Sequence, residues 1–302
     1  MAEAWYEVVI VGGGPAGLSA ALVLGRCRRR VLVCDAGQPR NAASHGLHGF
    51  LTRDGIKPAE FIEIARQQLG HYDTVEIRRT EVTSARCVSN GFELTLTNDK
   101  NVFARKLLVA TGVVDELPAV NGLQDFYGRS VFHCPYCDGW EMRDQPLAIY
   151  GNGENGSGLA LELKLWSRDL VLCTDGPSQL TPEHTERLAR DNIELREEKI
   201  DRLEGKDGLL EYIVFANGER LERRAMFFST GHHQGSDLAK QLGCAFTEDG
   251  CVATGDYETT SVPGLYAAGD ASKLVQFVIV AASEGAQAAV AINKELIKED
   301  LT

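Results

Sequence analysis

Two short apolar runs near the N-terminus flank a stretch with a different periodicity. Residues 8–11 and 31–34 are continuously apolar, which is typical of buried parallel strands. Between them, residues 18–25 carry apolar positions at the spacing of a helix. The pattern therefore predicts a strand–helix–strand unit.

The same pattern returns in the middle of the chain. Residues 147–150 and 170–173 are strand-like, and a helical pattern connects them as far as residue 166. Residues 91–97 and 102–108 alternate like the strands of a hairpin, and residues 275–297 favour a long apolar helix. The internal repeat predicts two related units in one chain.

Each repeat contains a glycine turn between its first strand and its helix. The first is Gly12-Gly13-Gly14-Pro15-Ala16-Gly17, followed by Asp35 at the end of the second strand. The second is Gly151-Asn152-Gly153-Glu154-Asn155-Gly156, followed by Asp175. Each acid lies near the roughly 20-residue separation at which a carboxylate binds a ribose in dinucleotide-binding folds. Both repeats therefore predict nucleotide binding.

Composition and charge exclude several classes of function. The net charge of −12 argues against a protein that binds nucleic acid or an anionic membrane. No apolar stretch approaches the roughly 18 residues of a membrane span, and the N-terminus lacks the features of a secretory signal. We expect a cytoplasmic protein with no nucleic-acid or membrane partner, in which most of the eight cysteines are buried free thiols.

Cys134 and Cys137 are close enough to work as a pair, in the segment HCPYCDGWE. A zinc site would need about four ligands, and no second C-x-x-C exists in the chain. A glutaredoxin-type motif would lie near the start of a small domain, and two structural cysteines could share this spacing by chance. A redox dithiol fits best, because a thiolate at a helix start can attack a disulfide or reduce a flavin. We expect no metal.

The order of the motifs resembles the low-molecular-weight thioredoxin reductases almost from end to end. GGGPAG, ATG, C-x-x-C-D-G, a second G-x-G-x-x-G and AAGD follow one another. The stretches DAGQPRN, HGFLTRDG and HCPYCDGWE resemble more closely a branch near the dithiol oxidases and the pyridine-nucleotide-independent thioredoxin reductases. The resemblance implies an FAD-dependent flavoprotein.

The resemblance also implies an α/β fold of two Rossmann-like three-layer domains, like the class II pyridine nucleotide-disulfide oxidoreductases. Residues 1–116 and 248–302 would form the FAD domain. Residues 117–247 would form an inserted NAD(P)-like domain that carries the dithiol. A homodimer is expected on the same grounds.

Site residues are carried over by the same resemblance. Cys137 would face the flavin, Cys134 would face the substrate, and Asp138 would act as general acid and base, unless it is only an acid in a first helical turn. The residues implied for FAD binding are Gly12, Gly14, Pro15, Ala16, Gly17, Asp35, Ala36, Gln38, Arg40, Asn41, His48, Val82, Thr111, Gly112, Gly269, Asp270, Phe277 and Val278. The chain departs from the family before its last helix, where Gln276-Phe277-Val278 replaces Arg-Gln-Ala.

The sequence leaves several sources of electrons open. The resembled family binds the 2′-phosphate of NADPH with a basic cluster, but here the matching segment reads LCTDGP, with Asp175 and no arginine. NADPH is therefore disfavoured. The second site, with Gly151, Gly153, Gly156 and Asp175, could bind NADH through a ribose, hold another flavin, or bind nothing, and Asp175 could be a plain turn residue. The segment TGHHQG (230–235) also suggests altered binding near that site.

These observations predict an FAD-dependent dithiol–disulfide oxidoreductase acting on a thioredoxin-like protein or a small molecule. Electrons could come from NADH, from a protein donor such as ferredoxin docking at the basic run 26–30, or from a substrate dithiol. In the last case the protein would be an oxygen-dependent dithiol oxidase. A flavin and disulfide redox sensor without turnover is the alternative from another class.

Overall fold

A computed structural model describes residues 4–97 and 100–302, and the chain divides into two compact units. Unit 1 contains Met1–Ala42, Gly49–Val114 and His232–Thr302, and unit 2 contains Ala43–His48 and Asp115–Gly231. The second boundary lies earlier than the predicted one at residue 247. The physical reason is that Leu238 and Leu242 are buried in an apolar core of unit 1.

Unit 1 is built on a seven-stranded sheet with the strand order β3-β2-β1-β6-β5-β4, in which β17 also pairs with β6. The strands β1, β2, β3, β6 and β17 are parallel, whereas β4, β5 and β6 form an antiparallel meander. Their bounds are Ala4–Val11 (β1), Val31–Asp35 (β2), Val75–Arg79 (β3), Val82–Val88 (β4), Gly91–Leu96 (β5), Asn101–Val109 (β6) and Leu265–Ala267 (β17). A separate two-stranded ribbon joins β7 (Val113–Asp115) to β16 (His232–Gln234).

The two faces of this sheet are covered differently. One face packs against α1 (Pro15–Arg26), α2 (Pro58–Leu69) and α7 (Val278–Asp300), because alternate strand residues such as Val8 and Ile10 face these helices. On the other face, the parallel strands β1 and β2 share an apolar core with β4 and β5 of the meander and with α6 (Leu238–Gln241). The parallel strands are therefore buried on both sides, which explains their continuous apolar runs.

The register of the parallel strands determines where a ligand can bind in unit 1. Val11 at the end of β1 pairs with Cys34 of β2 and with Val109 of β6, and Val109 pairs with Ala267 of β17. The carboxyl ends of four strands therefore lie at one edge of the sheet. Ligands in open α/β sheets bind at this edge.

Unit 2 has a five-stranded parallel sheet with the order β11-β10-β9-β15-β8 and an antiparallel sheet with the order β12-β13-β14. The strand bounds are Val131–Phe132 (β8), Leu147–Tyr150 (β9), Leu170–Cys173 (β10), Glu194–Arg196 (β11), Ile200–Lys206 (β12), Leu209–Phe215 (β13), Arg220–Glu222 (β14) and Ala225–Phe228 (β15). The helices are α3 (Pro135–Asp138), α4 (Gly153–Leu163) and α5 (Pro182–Arg190), and two 3₁₀ turns, Leu123–Asp125 in unit 2 and Asp256–Glu258 in unit 1, complete the chain.

The parallel sheet of unit 2 lies between two apolar cores. Ile149 and Phe227 pack with Leu159 and Leu163 of α4 on one face. On the other face, Ala148 and Met226 belong to the core that includes residues of the antiparallel sheet. Each unit thus has three layers, as the sequence predicted.

The predicted α/β fold and most of the predicted elements are confirmed. The hairpin is formed by β5 and β6, with Phe92 opposite Ala104, but α4 ends at Leu163, short of the predicted residue 166. The antiparallel sheet of unit 2 was not predicted. Within residues 4–97 and 100–302, no helix is long and apolar enough to cross a membrane.

Helix α7 approaches α1 so closely that Gly285 has no room for a side chain. A Cβ atom there would lie 1.9 Å from the carbonyl oxygen of Ala16. We expect Gly285→Ala to lower the free energy of unfolding by about 1–3 kcal/mol, because overpacking forces the helices apart. Urea denaturation followed by circular dichroism measures the change.

Gly158→Ala is the matched control, since a Cβ atom at this exposed position of α4 would meet nothing within 4 Å. It should stabilise the protein by up to about 1 kcal/mol through helix propensity alone. Equal effects of the two substitutions would contradict the packing argument.

Candidate functional site

The first glycine turn closes tightly over the edge of the unit 1 sheet. A Cβ atom at Gly12, where φ is 117°, would lie 2.1 Å from the carbonyl oxygen of Ala110, and one at Gly17 would lie 2.0 Å from the carbonyl oxygen of Gly12. At Gly14, by contrast, a Cβ atom would meet nothing within 4 Å. The turn is therefore packed on its inner side and open at Gly14, as a pyrophosphate cradle requires.

Asp35 lies at the same edge, at the end of β2. Its carboxylate accepts a 2.8 Å hydrogen bond from the backbone N–H of Gly37 and another from the guanidinium of Arg66 on α2. A carboxylate offers about four acceptor positions, so these bonds leave capacity for a ribose diol. Sequence reasoning missed Arg66, because it lies on a helix that carried no motif.

Gly269 and Asp270 follow β17 and complete the edge. The Asp270 carboxylate accepts a 2.9 Å bond from Arg40, and Arg40 also donates to the side chain of Gln276 at 2.6 Å. Gln276, which departs from the family pattern, is thereby tied to the predicted site. Two residues of the segment TGHHQG are also bonded within unit 1, since His232 contacts Gln276 and Gln234 donates to the carbonyl of Ala271.

A buried carboxyl group forms a hydrogen bond to the backbone of the turn at Gly269. Glu284 of α7 is 4% exposed and accepts a 2.7 Å hydrogen bond from the N–H of Gly269. Burial raises the pKa of Glu284 to about 7, and although the Gly269 bond and Lys273 lower it, the charges of Glu258 and Asp270 raise it further. The sequence contained no signal for this role.

The residues at the edge fit an FAD molecule. The buried hydroxyl of Thr111, just beyond β6, has no hydrogen-bond partner within the described part of the chain. Together with the open space at Gly14, this orphaned group is what a bound polar ligand would satisfy. The other carried-over residues of unit 1 are distributed around the same region: Pro15 and Ala16 begin α1, Ala36, Gln38 and Asn41 follow β2, Gly112 follows Thr111, Phe277 and Val278 begin α7, and Val82 is buried at the start of β4.

In unit 2 the two cysteines of the C-x-x-C segment form a disulfide, with their Cα atoms 5.3 Å apart. Cys134 caps the single turn of α3, and its Sγ accepts a 3.1 Å hydrogen bond from the N–H of Cys137. Both cysteines are partly exposed. The disulfide is thus held at the start of a helical turn and is open to a reactant.

Asp138 follows directly and is partly exposed. Burial raises the pKa of the Asp138 carboxyl to about 7, a protonated His48 lowers it, and Glu141 raises it. A carboxyl with a pKa near neutrality is suited to acid and base catalysis. The structure places His48 in unit 2 beside Glu141, with Nε2 and Oε1 3.6 Å apart, although the resemblance placed it among the FAD contacts.

A second histidine lies next to the disulfide in the chain. The hydroxyl of Tyr127 donates a 2.9 Å hydrogen bond to Asp115 and lies 3.2 Å from Nδ1 of His133, which is 3.7 Å from the same carboxylate. The three side chains orient one another on the N-terminal side of Cys134. Asp115 and Tyr127 were missed because they are far from the motif in sequence.

The second glycine turn is packed on its inner side like the first, but a side chain of unit 2 bonds to the first N–H group of its helix. A Cβ atom at Gly156 would lie 2.5 Å from the carbonyl carbon of Gly151. The side chain of Asn152 accepts hydrogen bonds from the N–H groups of Gly153 and Gln179, at 2.8 and 2.7 Å, and donates to the carbonyl of Pro177. The chain's own amide thus bonds to a helix N-terminus that a pyrophosphate would need.

Asp175 is also engaged within unit 2. One carboxylate oxygen accepts a 2.7 Å bond from the N–H of Ile200, and the other accepts a 3.2 Å bond from Tyr150. Its backbone has a φ of 53°, which is typical of a turn residue. Nearby, Arg196 is bonded to Glu198 and Glu219. The only arginine of β11 is therefore neutralised by carboxylates.

Comparisons with known proteins identify the family of the chain. The chain matches the family described as pyridine nucleotide-disulphide oxidoreductase over residues 6–285. Thioredoxin reductase aclD of Aspergillus oryzae is 30% identical, with 98% of each chain covered. The crystal structures of TrxB from Bacillus anthracis and of HlmI each superpose with a TM-score of 0.93 at 36% identity, covering 98% of this chain and 99% and 94% of theirs. The resemblance and the fold class drawn from the sequence are confirmed.

Glu284 should make stability depend on pH. Its pKa rises from an ordinary 4.5 to about 7 on folding, so between these values the folded state binds more protons than the unfolded state. The contribution of Glu284 to the free energy of unfolding is fully present below pH 4.5 and falls by about 3 kcal/mol as pH rises past 7. Relative to wild type, Glu284→Gln should gain stability between pH 5 and pH 8 in urea denaturation. A constant difference between the two proteins would contradict the assignment.

Proposed function

Because the chain belongs to the pyridine nucleotide-disulphide oxidoreductase family and is a thioredoxin reductase-like, flavin-dependent disulfide oxidoreductase, we propose that it passes electrons between FAD, the Cys134–Cys137 disulfide and an external disulfide or dithiol, without NADPH. The observation that carries the proposal is the disulfide at the start of α3 with the Asp138 carboxyl directly after it.

FAD, when bound, supplies two-electron chemistry at its isoalloxazine ring. The open turn at Gly14, the Asp35 carboxylate and the unpartnered Thr111 hydroxyl are the groups of unit 1 that would hold it. Arg40 donates a hydrogen bond to Asp270 and thereby positions the loop that follows β17. These residues bind and orient the cofactor.

The dithiol chemistry belongs to unit 2. A substrate thiolate attacks Sγ of Cys134, the S–S bond breaks, and Cys137 leaves as a thiolate that takes a proton from Asp138. The second substrate thiol then gives its proton to Asp138 and attacks the mixed disulfide, which releases Cys134 and the substrate disulfide. The first substrate thiol loses its proton to solvent before it attacks, and the released Cys134 thiolate takes a proton from solvent, so the two protons lost by the substrate equal the two gained by the cysteines. Reduction of an external disulfide is the reverse sequence.

Three contacts in unit 2 argue against NADPH at the second site. Asn152 accepts a hydrogen bond from the N–H of Gly153, the first residue of α4, where a pyrophosphate would bind. The carboxylate of Asp175 would repel a 2′-phosphate, although, like Asp35, it keeps acceptor positions for a ribose diol beside its bonds to Ile200 and Tyr150. Arg196 is paired with glutamates, so no free cation of β11 awaits a 2′-phosphate. Another flavin at this site would meet the same contact of Asn152.

The surface around the disulfide favours a partner with an apolar face. Tyr136 is 60% exposed and stands edge-on to Trp166, and Trp140 is 65% exposed under the guanidinium of Arg143. Exposed aromatic side chains are typical of binding surfaces. The relatives named as thioredoxin reductases make a thioredoxin-like disulfide the first substrate to test, and a small-molecule dithiol the second.

The Asn152 contacts argue against a nucleotide donor. They therefore also favour a second candidate function, in which electrons enter from a substrate dithiol and oxygen is the final acceptor. A sensor without turnover has less support, because it would not need a general acid beside its disulfide. Docking of ferredoxin at the basic run is weakened by the pairing of Arg29 with Glu7 and Asp300. A homodimer and a cytoplasmic location stay predictions.

The donor is tested by following the flavin absorbance of the purified holoprotein without oxygen. We expect dithiothreitol to bleach the flavin and NADPH to leave it oxidised over the same period, because Asp175 would repel a 2′-phosphate and Arg196 is already paired with glutamates. NADH is measured in parallel, since a ribose diol would not meet this repulsion. Bleaching by NADPH at a catalytic rate would overturn the donor assignment. Bleaching by neither nucleotide nor dithiol would overturn the proposed function.

The electron path is tested by Cys137→Ser. This variant should keep its flavin, and its dithiol-dependent turnover should fall by at least about 1,000-fold, because a hydroxyl at residue 137 cannot form the disulfide that accepts the electrons. Cys87→Ser is the control, since Cys87 is an exposed free cysteine of unit 1. Turnover that survives in Cys137→Ser would contradict the assigned path.

A further inference from the structure

A short segment from the N-terminal part of the chain belongs to the dithiol unit. Residues Ala43–His48 group with unit 2, whereas the chain on both sides groups with unit 1. The segment packs against the turn at Gly128, where a Cβ atom would lie 2.7 Å from the backbone of Ala43. His48, at its end, is therefore held in the same unit as the disulfide.

His48 forms a charged pair next to the general acid. Its Nε2 atom is 3.6 Å from the carboxylate of Glu141, which lies three residues after Asp138. The side chains of His48 and Glu141 are 22% and 37% exposed. The pair therefore reaches water while it lies close enough to Asp138 for both charges to act on that carboxyl.

A dithiol needs a path for protons between its sulfur atoms and solvent, because protons are released when it is oxidised and taken up when it is reduced. When the dithiol is oxidised, one S–S bond forms, two S–H bonds break, and two electrons and two protons leave. The electron pair and one proton go to the flavin, and the other proton goes to solvent. Asp138 can take that proton from Cys137, but must lose it before the next cycle.

Building on the proposed function, we propose that His48 and Glu141 are a proton relay for the dithiol, which exchanges with solvent the proton that Asp138 carries to and from Cys137. A histidine suits this task because its ordinary pKa lies close to neutrality. Glu141 lies 3.6 Å from the imidazole and holds it in place. Both are positioning residues that act through Asp138.

The electrostatics give the relay a distinctive signature. Loss of the His48 imidazolium removes a charge that lowers the pKa of Asp138, whereas loss of the Glu141 carboxylate removes a charge that raises it. The other titratable groups near the dithiol are the thiols of Cys134 and Cys137 when reduced, and His133 with Asp115 and Tyr127. These stay unchanged when His48 or Glu141 is replaced.

The test is the pH profile of flavin reduction by dithiothreitol in stopped flow without oxygen, for wild type, His48→Gln and Glu141→Gln. The ionisation of dithiothreitol is common to all three, so it cancels in the ratio of variant to wild-type rate. We expect the midpoint assigned to Asp138 to rise by about one pH unit in His48→Gln and to fall by a similar amount in Glu141→Gln. We also expect His48→Gln to be roughly tenfold slower near neutral pH, and added imidazole to restore part of the rate.

His45→Gln is the matched control, because His45 is an exposed histidine of the same segment. Glu141 is exposed, so its substitution should leave the fold and the flavin content intact. Profiles of His48→Gln and Glu141→Gln that superimpose on wild type, or that shift in the same direction, would overturn the relay and leave the proposed function standing. Failure of dithiothreitol to reduce the wild-type flavin would overturn both.

Discussion

The close approach of backbone to backbone at the first glycine turn is the constraint on which the site in unit 1 depends. Gly17 of α1 lies against the carbonyl of Gly12 in the turn, so that neither residue could carry a side chain. Gly285 of α7 lies equally close to the backbone of α1 at Ala16. This packing aims the free N–H groups of α1 at the edge where four parallel strands end. A side chain at any of these glycines would move the helix away from the place where an anion is bound.

The same constraint operates in unit 2, with a different outcome. Gly151 and Gly156 are packed as tightly as their counterparts, so the turn and its helix persist. Here, however, the side chain of Asn152 bonds to the first N–H of the helix, and the acid after the second strand bonds to Ile200 and Tyr150. The two turns therefore share their packing and differ in the polar contacts around them.

The dithiol is controlled by charge and burial. Partial burial of Asp138 raises the pKa of its carboxyl to about 7, so that it can both give and accept a proton near neutral pH. The flanking histidines are each held by a carboxylate, His48 by Glu141 and His133 by Asp115. A partly exposed pair such as His48 and Glu141 adds little to stability, which is consistent with the proton relay proposed for it.

The amino-acid sequence by itself determined the α/β class, the repeat, the dithiol and the expected flavin turn, because these depend on local periodicity and on glycines at fixed spacing. Only the tertiary structure decided which side chains surround them. Arg66, Glu284, Asp115 and His48 reach their partners from helices and loops far away in the chain. Hydrogen bonds between such distant residues leave no periodic trace in the sequence, so spacing alone could not show that Asp175 is already bonded or that His48 lies beside the dithiol.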